Sequence, residues 1–150
     1  MKLTPQMRKA MENMQAGRII KTGFFGEDPR PLPDIIAHDE ELCSAIGLDI
    51  DAAAARMKHL TFEGEKGLGE PITVEKKWRV TISEARGRIP SPFEDGLFKK
   101  RNTHVVNLEN SEEMDYSDLS LFLIEKYHFF QGYGSPYRIE PQKMKKILEL

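Results

Sequence analysis

The side chains best suited to binding or chemistry are concentrated in one stretch near the C-terminus, EKYHFFQGYGSPYR, residues 125–138. Seven of the thirteen aromatic residues lie between Tyr116 and Tyr137, so this end contributes much of the core. Polar groups on an aromatic floor are typical of small-ligand pockets, and tyrosine and arginine are also enriched in protein interfaces. The stretch predicts a ligand-binding site or a homodimer surface formed by Tyr127, His128, Tyr133, Ser135, Tyr137 and Arg138. Core packing of these residues is the third interpretation.

A second group of side chains is basic and lies in the stretch RGRIPSPFEDGLFKKRN, residues 86–102, which is predicted to be a loop. Its cations exceed its acids, Glu94 and Asp95, by three charges, enough to hold a phosphate or carboxylate. Phe93 and Phe98 are placed either to stack on a ring or to anchor the loop on the core. A small anionic ligand is therefore one expected partner, bound by Arg86, Arg88, Lys99, Lys100 and Arg101.

Catalytic and metal-binding patterns are weak in this sequence. Glu125 and His128 are three residues apart, and Asp34 and His38 are four apart, so each pair shares a helix face. Two such pairs with no known proximity do not make a metal site, and no metal or cofactor is assigned. A small hydrolase using His128 with Glu125 or Asp118 remains an alternative.

Residues 40–85 contain a pattern seen in nucleic-acid-binding proteins. EELCSAIGLDIDAAAARMKHLTFEG, with Gly47 in its turn, resembles the helix-turn-helix of winged-helix DNA-binding domains, and PITVEKKWRVTI follows where such domains carry the wing. The resemblance implies a recognition helix, but Asp49 and Asp51 occupy the end that would approach DNA and would repel phosphates. Nucleic acid is thus a disfavoured partner, and backbone contacts would have to come from Arg56, Lys58 and His59.

Local signals predict five helices. Thr4 caps a first helix that ends at Gly17, a second runs from about Pro33 to Ile46 before Gly47, and a third follows Asp49. Ser117 caps a nearly all-apolar helix, and EPQKMKKILEL forms the last.

The fourth helix is expected to stop at Gly132 in a left-handed conformation, followed by a second sharp turn at Gly134. Phe129 and Phe130 then belong to the core. His128 and Arg138 are expected to point toward a cavity or a partner.

Strands are predicted where apolar residues alternate. RIIKTGFF, residues 18–25, is a short strand candidate, and PITVEKKWRVTI reads as a hairpin leading into a longer strand. THVVNL and EEMDY predict another pair. The fold class expected is α+β, a single domain over residues 1–150 with a small antiparallel sheet and four to five helices packed against it.

Composition limits the classes of protein. The net charge of −2 gives no general attraction to nucleic acid, and the longest apolar run, LFLI, is too short to cross a membrane. Cys43 is the only cysteine and is expected to be buried in the second helix, which favours a cytoplasmic location. The leading expectation is a non-catalytic ligand-binding or interaction protein with its site around residues 127–138, with nucleic-acid binding and hydrolysis as alternatives.

Overall fold

A four-stranded antiparallel sheet, whose strands lie side by side in chain order, organises the chain, which the computed structural model describes over residues 3–150. Three helices precede the sheet and two follow it, which confirms the predicted α+β class. The elements are α1 (Pro5–Asn13), α2 (Leu32–Ile46), α3 (Ile50–Gly64), β1 (Ile72–Val74), β2 (Trp78–Pro90), β3 (Leu97–Asn107), β4 (Glu113–Ser117), α4 (Asp118–Tyr127) and α5 (Pro141–Leu148). In the described part of the chain no helix is both long and apolar enough to cross a membrane.

Side-chain caps begin three of the helices at the residues that the sequence predicts. Thr4 accepts a hydrogen bond from the backbone N–H of Met7 at 3.1 Å, and Asp49 and Ser117 cap α3 and α4 in the same way. Gly47 ends α2 in the left-handed conformation, with φ of 75°. The predicted end of α1 at Gly17 is wrong, because the helix stops at Asn13.

The segment after α1 is the first correction to the predicted elements. Residues 18–25 form consecutive turns and pair with no strand. Gly17 and Gly23 have φ of 82° and 70°, which lets the chain fold back so that Phe24 donates a backbone hydrogen bond to Met14. The apolar residues of this segment therefore pack on the helices instead of joining the sheet.

The basic stretch is the second correction, because most of the predicted loop is strand. β2 and β3 continue past the ends of β1 and β4 as a two-stranded ribbon, residues 84–90 and 97–101, joined by a tip at residues 91–96. A register shift between Ala85 and Arg88, with Gly87 at φ of 96°, bends it. Most ribbon side chains are exposed on both faces, so the alternation that marks a half-buried strand is missing from the sequence.

The tip of the ribbon is fastened to two helices. The ring of Phe93 stacks on Tyr127 of α4 with centroids 3.7 Å apart, and the Tyr127 hydroxyl donates to Asp95. From α1, Asn13 donates its side-chain amide to the carbonyl oxygen of Pro92 at 2.8 Å. The ribbon is therefore held at both ends, at the sheet and at the helices.

Two apolar clusters form the core. In the first, the inward side chains of β2 and β3 pack against α3 and α5, with Trp78 donating its indole N–H to the carbonyl of Ile147 at 2.8 Å. In the second, α1 and α2 enclose Phe24 and Phe129. Phe129 and Phe130 are 0% and 2% exposed, which confirms the prediction that both are structural.

The end of α4 is a third correction. His128, with φ of 56°, takes the left-handed conformation that was predicted for Gly132. Gly132 is needed for another reason, since a Cβ there would lie 2.2 Å from the carbonyl oxygen of Phe25. Gly134 does have a positive φ, 86°, and forms the predicted second turn.

Candidate functional site

A crevice of about 410 Å³ separates the ribbon from the body of the protein. Three segments distant in sequence enclose it: the turns after α1, the ribbon with the start of α4, and the chain after α4. Its floor is apolar, formed by Ile19, Ile20, Phe24, Ile89 and Leu119. This volume lies within the range of roughly 300–1,000 Å³ that is usual for small-molecule sites.

The ribbon lines one side of the crevice with cations. Arg88 and Lys99 are directly opposite each other in the β2–β3 register, and Lys100 follows. Within residues 3–150 no carboxylate lies within ion-pair distance of any of these three side chains. The crevice therefore carries positive charge that the described chain does not neutralise. Arg88 and Lys99 also repel each other, because like charges directly opposite on neighbouring strands are destabilising.

The other two predicted anion-binding residues differ from these three. Arg101 forms ion pairs with Glu65 and with Asp118, its Nη2 lying 3.0 Å from the Asp118 Oδ2, and its side chain is 19% exposed. Arg86 is exposed at the bend of the ribbon and is not among the residues lining the crevice. Four of the five predicted cations thus line the crevice, and all of these except Arg101 are without an ion-pair partner in the described chain.

A chain of buried and partly buried hydrogen bonds forms another wall of the crevice. Ser117 donates to Ser120 at 3.0 Å, and the Gln131 side-chain amide donates to the same Ser120 oxygen at 3.2 Å. Ser135 in turn donates to the Gln131 amide oxygen at 2.8 Å. Helix α4 begins in this wall, so its partial positive N-terminal charge adds to the field of the ribbon.

Gln131 has an unusual backbone conformation for its residue type. Its φ is 74°, in the left-handed region that non-glycine residues seldom occupy. Its carbonyl oxygen accepts a hydrogen bond from Arg138 at 2.7 Å, which helps to hold that conformation. Strained residues of this kind are concentrated at binding and active sites.

Arg138 faces the protein interior and not a cavity, in contrast to the expectation from sequence. Its guanidinium makes two hydrogen bonds of 2.8 Å to the carboxylate of Asp39, and the two side chains are 3% and 0% exposed. Burial acts to lower the pKa of Arg138, but the hydrogen bonds to Asp39 and Glu140 outweigh it and raise the pKa. The hydrogen bonds that Arg138 makes to α2 therefore hold the structure together and do not face a ligand.

The predicted tyrosines have three different environments. Tyr127 lies under the ribbon tip, whereas the ring centre of Tyr133 is 4.3 Å from the guanidinium of Arg30 and 4.8 Å from that of Arg138. Tyr137, 48% exposed, lines the crevice. Ser135 is buried behind Gln131 and reaches the crevice only through it.

His128 lies in a separate surface depression beside α2 and α3. Its Nδ1 is 2.7 Å from Glu40 and its Nε2 is 3.1 Å from Asp51. Burial acts to lower the pKa of His128, but the hydrogen bonds to these two carboxylates outweigh it and raise the pKa. Glu125 and Asp118, its expected catalytic partners, are instead paired with Lys58 and Arg101.

Metal binding and the thiol of Cys43 are the remaining candidates for chemistry. Among residues 3–150 no group of three or more His, Cys, Asp and Glu side chains is arranged to hold a metal ion. Cys43 is buried, and burial raises the pKa of its thiol to about 11, so the thiol is not reactive.

The basic residues of the helix-turn-helix segment are used in packing. Arg56 donates to the carbonyl of Leu148 at 2.6 Å and lies over the ring of Trp78. Lys58 pairs with Glu125 at 2.9 Å. Both cations already have partners within the protein, although the order α2, turn, α3, hairpin follows the predicted pattern.

Sequence reasoning missed Gln131, Ile19 and Ile20 as lining residues. The only local sign of Gln131 was its position between Phe130 and Gly132. Nothing in the sequence links residues 19–20 to the ribbon. Comparison of the chain with models of protein families, with curated proteins and with solved structures finds no match.

Proposed function

We propose that the protein is a non-catalytic binding protein whose ligand is a small organic anion held in the crevice. The observation that carries this proposal is that three cations without an ion-pair partner in the described chain, Arg88, Lys99 and Lys100, line the same crevice as a set of apolar residues. An anion placed between them would relieve the repulsion between the opposed Arg88 and Lys99 side chains. The apolar floor would contact the organic part of such a ligand.

Binding is favoured over catalysis by the residues that line the crevice. No histidine or carboxylate, the side chains that most often act as general bases, lines it within residues 3–150. The lining hydroxyl of Ser117 donates to Ser120, and that of Ser120 accepts from Gln131, so neither is paired with a base that would activate it.

Replacing the three crevice cations tests the proposal. We expect Arg88→Ala, Lys99→Ala and Lys100→Ala, combined in one variant, to weaken binding of an organic phosphate probe such as hexyl phosphate at least about tenfold. Thermal stability should change little or increase, because the three side chains are exposed and repel one another. Isothermal titration calorimetry and thermal melts measure the two quantities.

A matched variant controls for the change in net charge. Arg8, Lys76 and Lys143 are exposed and do not line the crevice, and replacing all three with alanine removes the same charge. This control should bind the probe like the unmodified protein. If the crevice variant and the control bind hexyl phosphate with equal affinity, the crevice is not the anion-binding site.

A cytoplasmic location belongs to the same proposal. Cys43 is the only cysteine in the sequence and is an unreactive buried thiol. Proteins of the cytoplasm keep their thiols reduced, and a fold with no structural disulfide suits that compartment.

A further inference from the structure

The crevice offers more than charge, because its buried wall presents an amide with unused hydrogen-bonding capacity. A glutamine side chain has two N–H donors and an oxygen with two acceptor sites. Gln131 uses one donor on Ser120 and one acceptor site on Ser135. One donor and one acceptor site of the same amide therefore have no partner in the described chain, at a residue that lines the crevice and is 3% exposed.

A ligand with a purely apolar body would not suit this wall. Leaving buried polar groups without partners costs free energy, whereas a donor next to an acceptor on a planar ring would pair with both. Glutamine recognises the edge of a nucleobase through such a paired contact. The wall thus favours a ligand whose body is a planar heterocycle.

Gln131 is also held in place before any ligand arrives. Its carbonyl is fixed by Arg138, which is itself locked to the buried carboxylate of Asp39. The left-handed backbone at Gln131 persists because these contacts impose it. A preorganised side chain lowers the entropy that binding would otherwise cost.

An aromatic face is available at the crevice edge. The phenylalanines of the basic stretch are occupied, since Phe93 stacks on Tyr127 and Phe98 packs on Phe122 with ring centres 4.6 Å apart. Tyr137 lines the crevice, is half exposed, and has no ring or cation stacked on it within the described residues. Aromatic side chains with a free face are stacking platforms for bases.

We propose that the ligand is a nucleoside monophosphate. Its phosphate lies between Arg88, Lys99 and Lys100, and its base lies against Tyr137 with one edge on Gln131. A phosphate carries close to two negative charges and several acceptor oxygens, which matches three clustered cations better than a single carboxylate does. This inference rests on the proposed function and specifies its ligand.

The test compares probes that share a phosphate and differ in the attached group. Titration calorimetry would use AMP, GMP, CMP and UMP, with hexyl phosphate and inorganic phosphate as references. We expect at least one nucleotide to bind about tenfold or more tightly than hexyl phosphate, as stacking and paired hydrogen bonds predict. If hexyl phosphate binds as tightly as every nucleotide, the nucleotide inference is overturned while anion binding stands. If none of the probes binds, both proposals fail.

Two variants locate the base. Tyr137→Ala should weaken nucleotide binding about tenfold and leave hexyl phosphate binding unchanged, with Tyr133→Ala, outside the crevice, as its control. Gln131→Glu keeps the size of the side chain and lets both serines donate to it, but removes the free N–H. The added negative charge weakens the binding of nucleotide and hexyl phosphate alike and so cancels in the ratio of their affinities. Because the free N–H is lost, the ratio of nucleotide affinity to hexyl phosphate affinity should fall about tenfold. A ratio unchanged in both variants would overturn this placement of the base.

Discussion

The guanidinium of Arg138 is buried with its partner, and this determines what the residue does. Two hydrogen bonds join it to Asp39 on α2 and one joins it to the carbonyl of Gln131. Removing one member of a buried ion pair leaves the other charge without compensation, which is strongly destabilising. Arg138 therefore supports the crevice wall from behind without contacting the space that a ligand would occupy.

We expect Arg138→Ala to lower the free energy of unfolding by about 3–5 kcal/mol, because it strands the Asp39 carboxylate in the interior. Phe130→Ala should cost a similar amount, about 3–5 kcal/mol, through the cavity that it leaves. Urea denaturation of both variants measures this. Arg86→Ala, an exposed arginine on the ribbon, is the control and should change stability by less than about 0.5 kcal/mol. Near-normal stability of Arg138→Ala would contradict the structural role.

At the scale of elements, His128 joins three helices. It ends α4 and reaches Glu40 on α2 and Asp51 on α3. Its pKa in the folded protein is raised above the ordinary value of 6.5. A raised pKa means that folding favours the protonated form, so the stabilisation is complete below the unfolded-state pKa and is lost as pH rises through the folded-state pKa.

His128→Gln should therefore destabilise the protein more at about pH 6 than at about pH 9, where the wild-type imidazole is neutral. Urea denaturation of the two proteins at both pH values measures the difference. Glu40 and Asp51 are both at least partly exposed, so the effect should shrink in high salt. A destabilisation that is the same at both pH values would show that His128 acts only through its shape and hydrogen bonds.

The ribbon is the element on which the binding proposal depends. A two-stranded ribbon is marginally stable by itself, and this one is held by the sheet at one end and by its tip at the other. The tip contacts hold Arg88, Lys99 and Lys100 at the crevice whose wall contains Gln131. The distance between cations and wall is therefore fixed by packing of α1 and α4 against residues 91–96.

At the scale of the whole molecule, a ligand in the crevice would connect segments far apart in sequence. We expect a bound nucleotide to slow amide hydrogen exchange in residues 17–24, 86–101 and 131–137 together, because it cross-links the elements around the crevice. Hydrogen exchange followed by mass spectrometry measures this with and without ligand. The segment around His128 and residues 40–51 should be less affected.

Protection confined to residues 40–51 and 128 would move the binding site to the depression at His128. Size-exclusion chromatography at the same protein concentration separates ligand protection from self-association, since a homodimer also protects amides. Homodimer formation thus stays a prediction that this measurement tests.

Three helix starts and the end of α2 could be predicted from the sequence because each depends on neighbouring residues, whereas the predicted ends of α1 and α4 were wrong. Thr4, Asp49 and Ser117 cap through contacts three residues away, and Gly47 ends α2 through its own backbone freedom. The ribbon could not be predicted in this way. Its strands are stabilised by pairing with each other while both faces stay exposed, so no apolar alternation marks them.

The sequence by itself identified two groups of residues, the cations of residues 86–101 and the aromatic turn of residues 127–138, but not their relation. Only the tertiary structure brought Lys99 and Tyr137 to one crevice, turned Arg138 inward to Asp39, and paired Arg101 with Asp118. The reason is physical: capping and turn formation are settled within a few residues, whereas burial and neutralisation of a charge depend on elements that meet only when the chain folds.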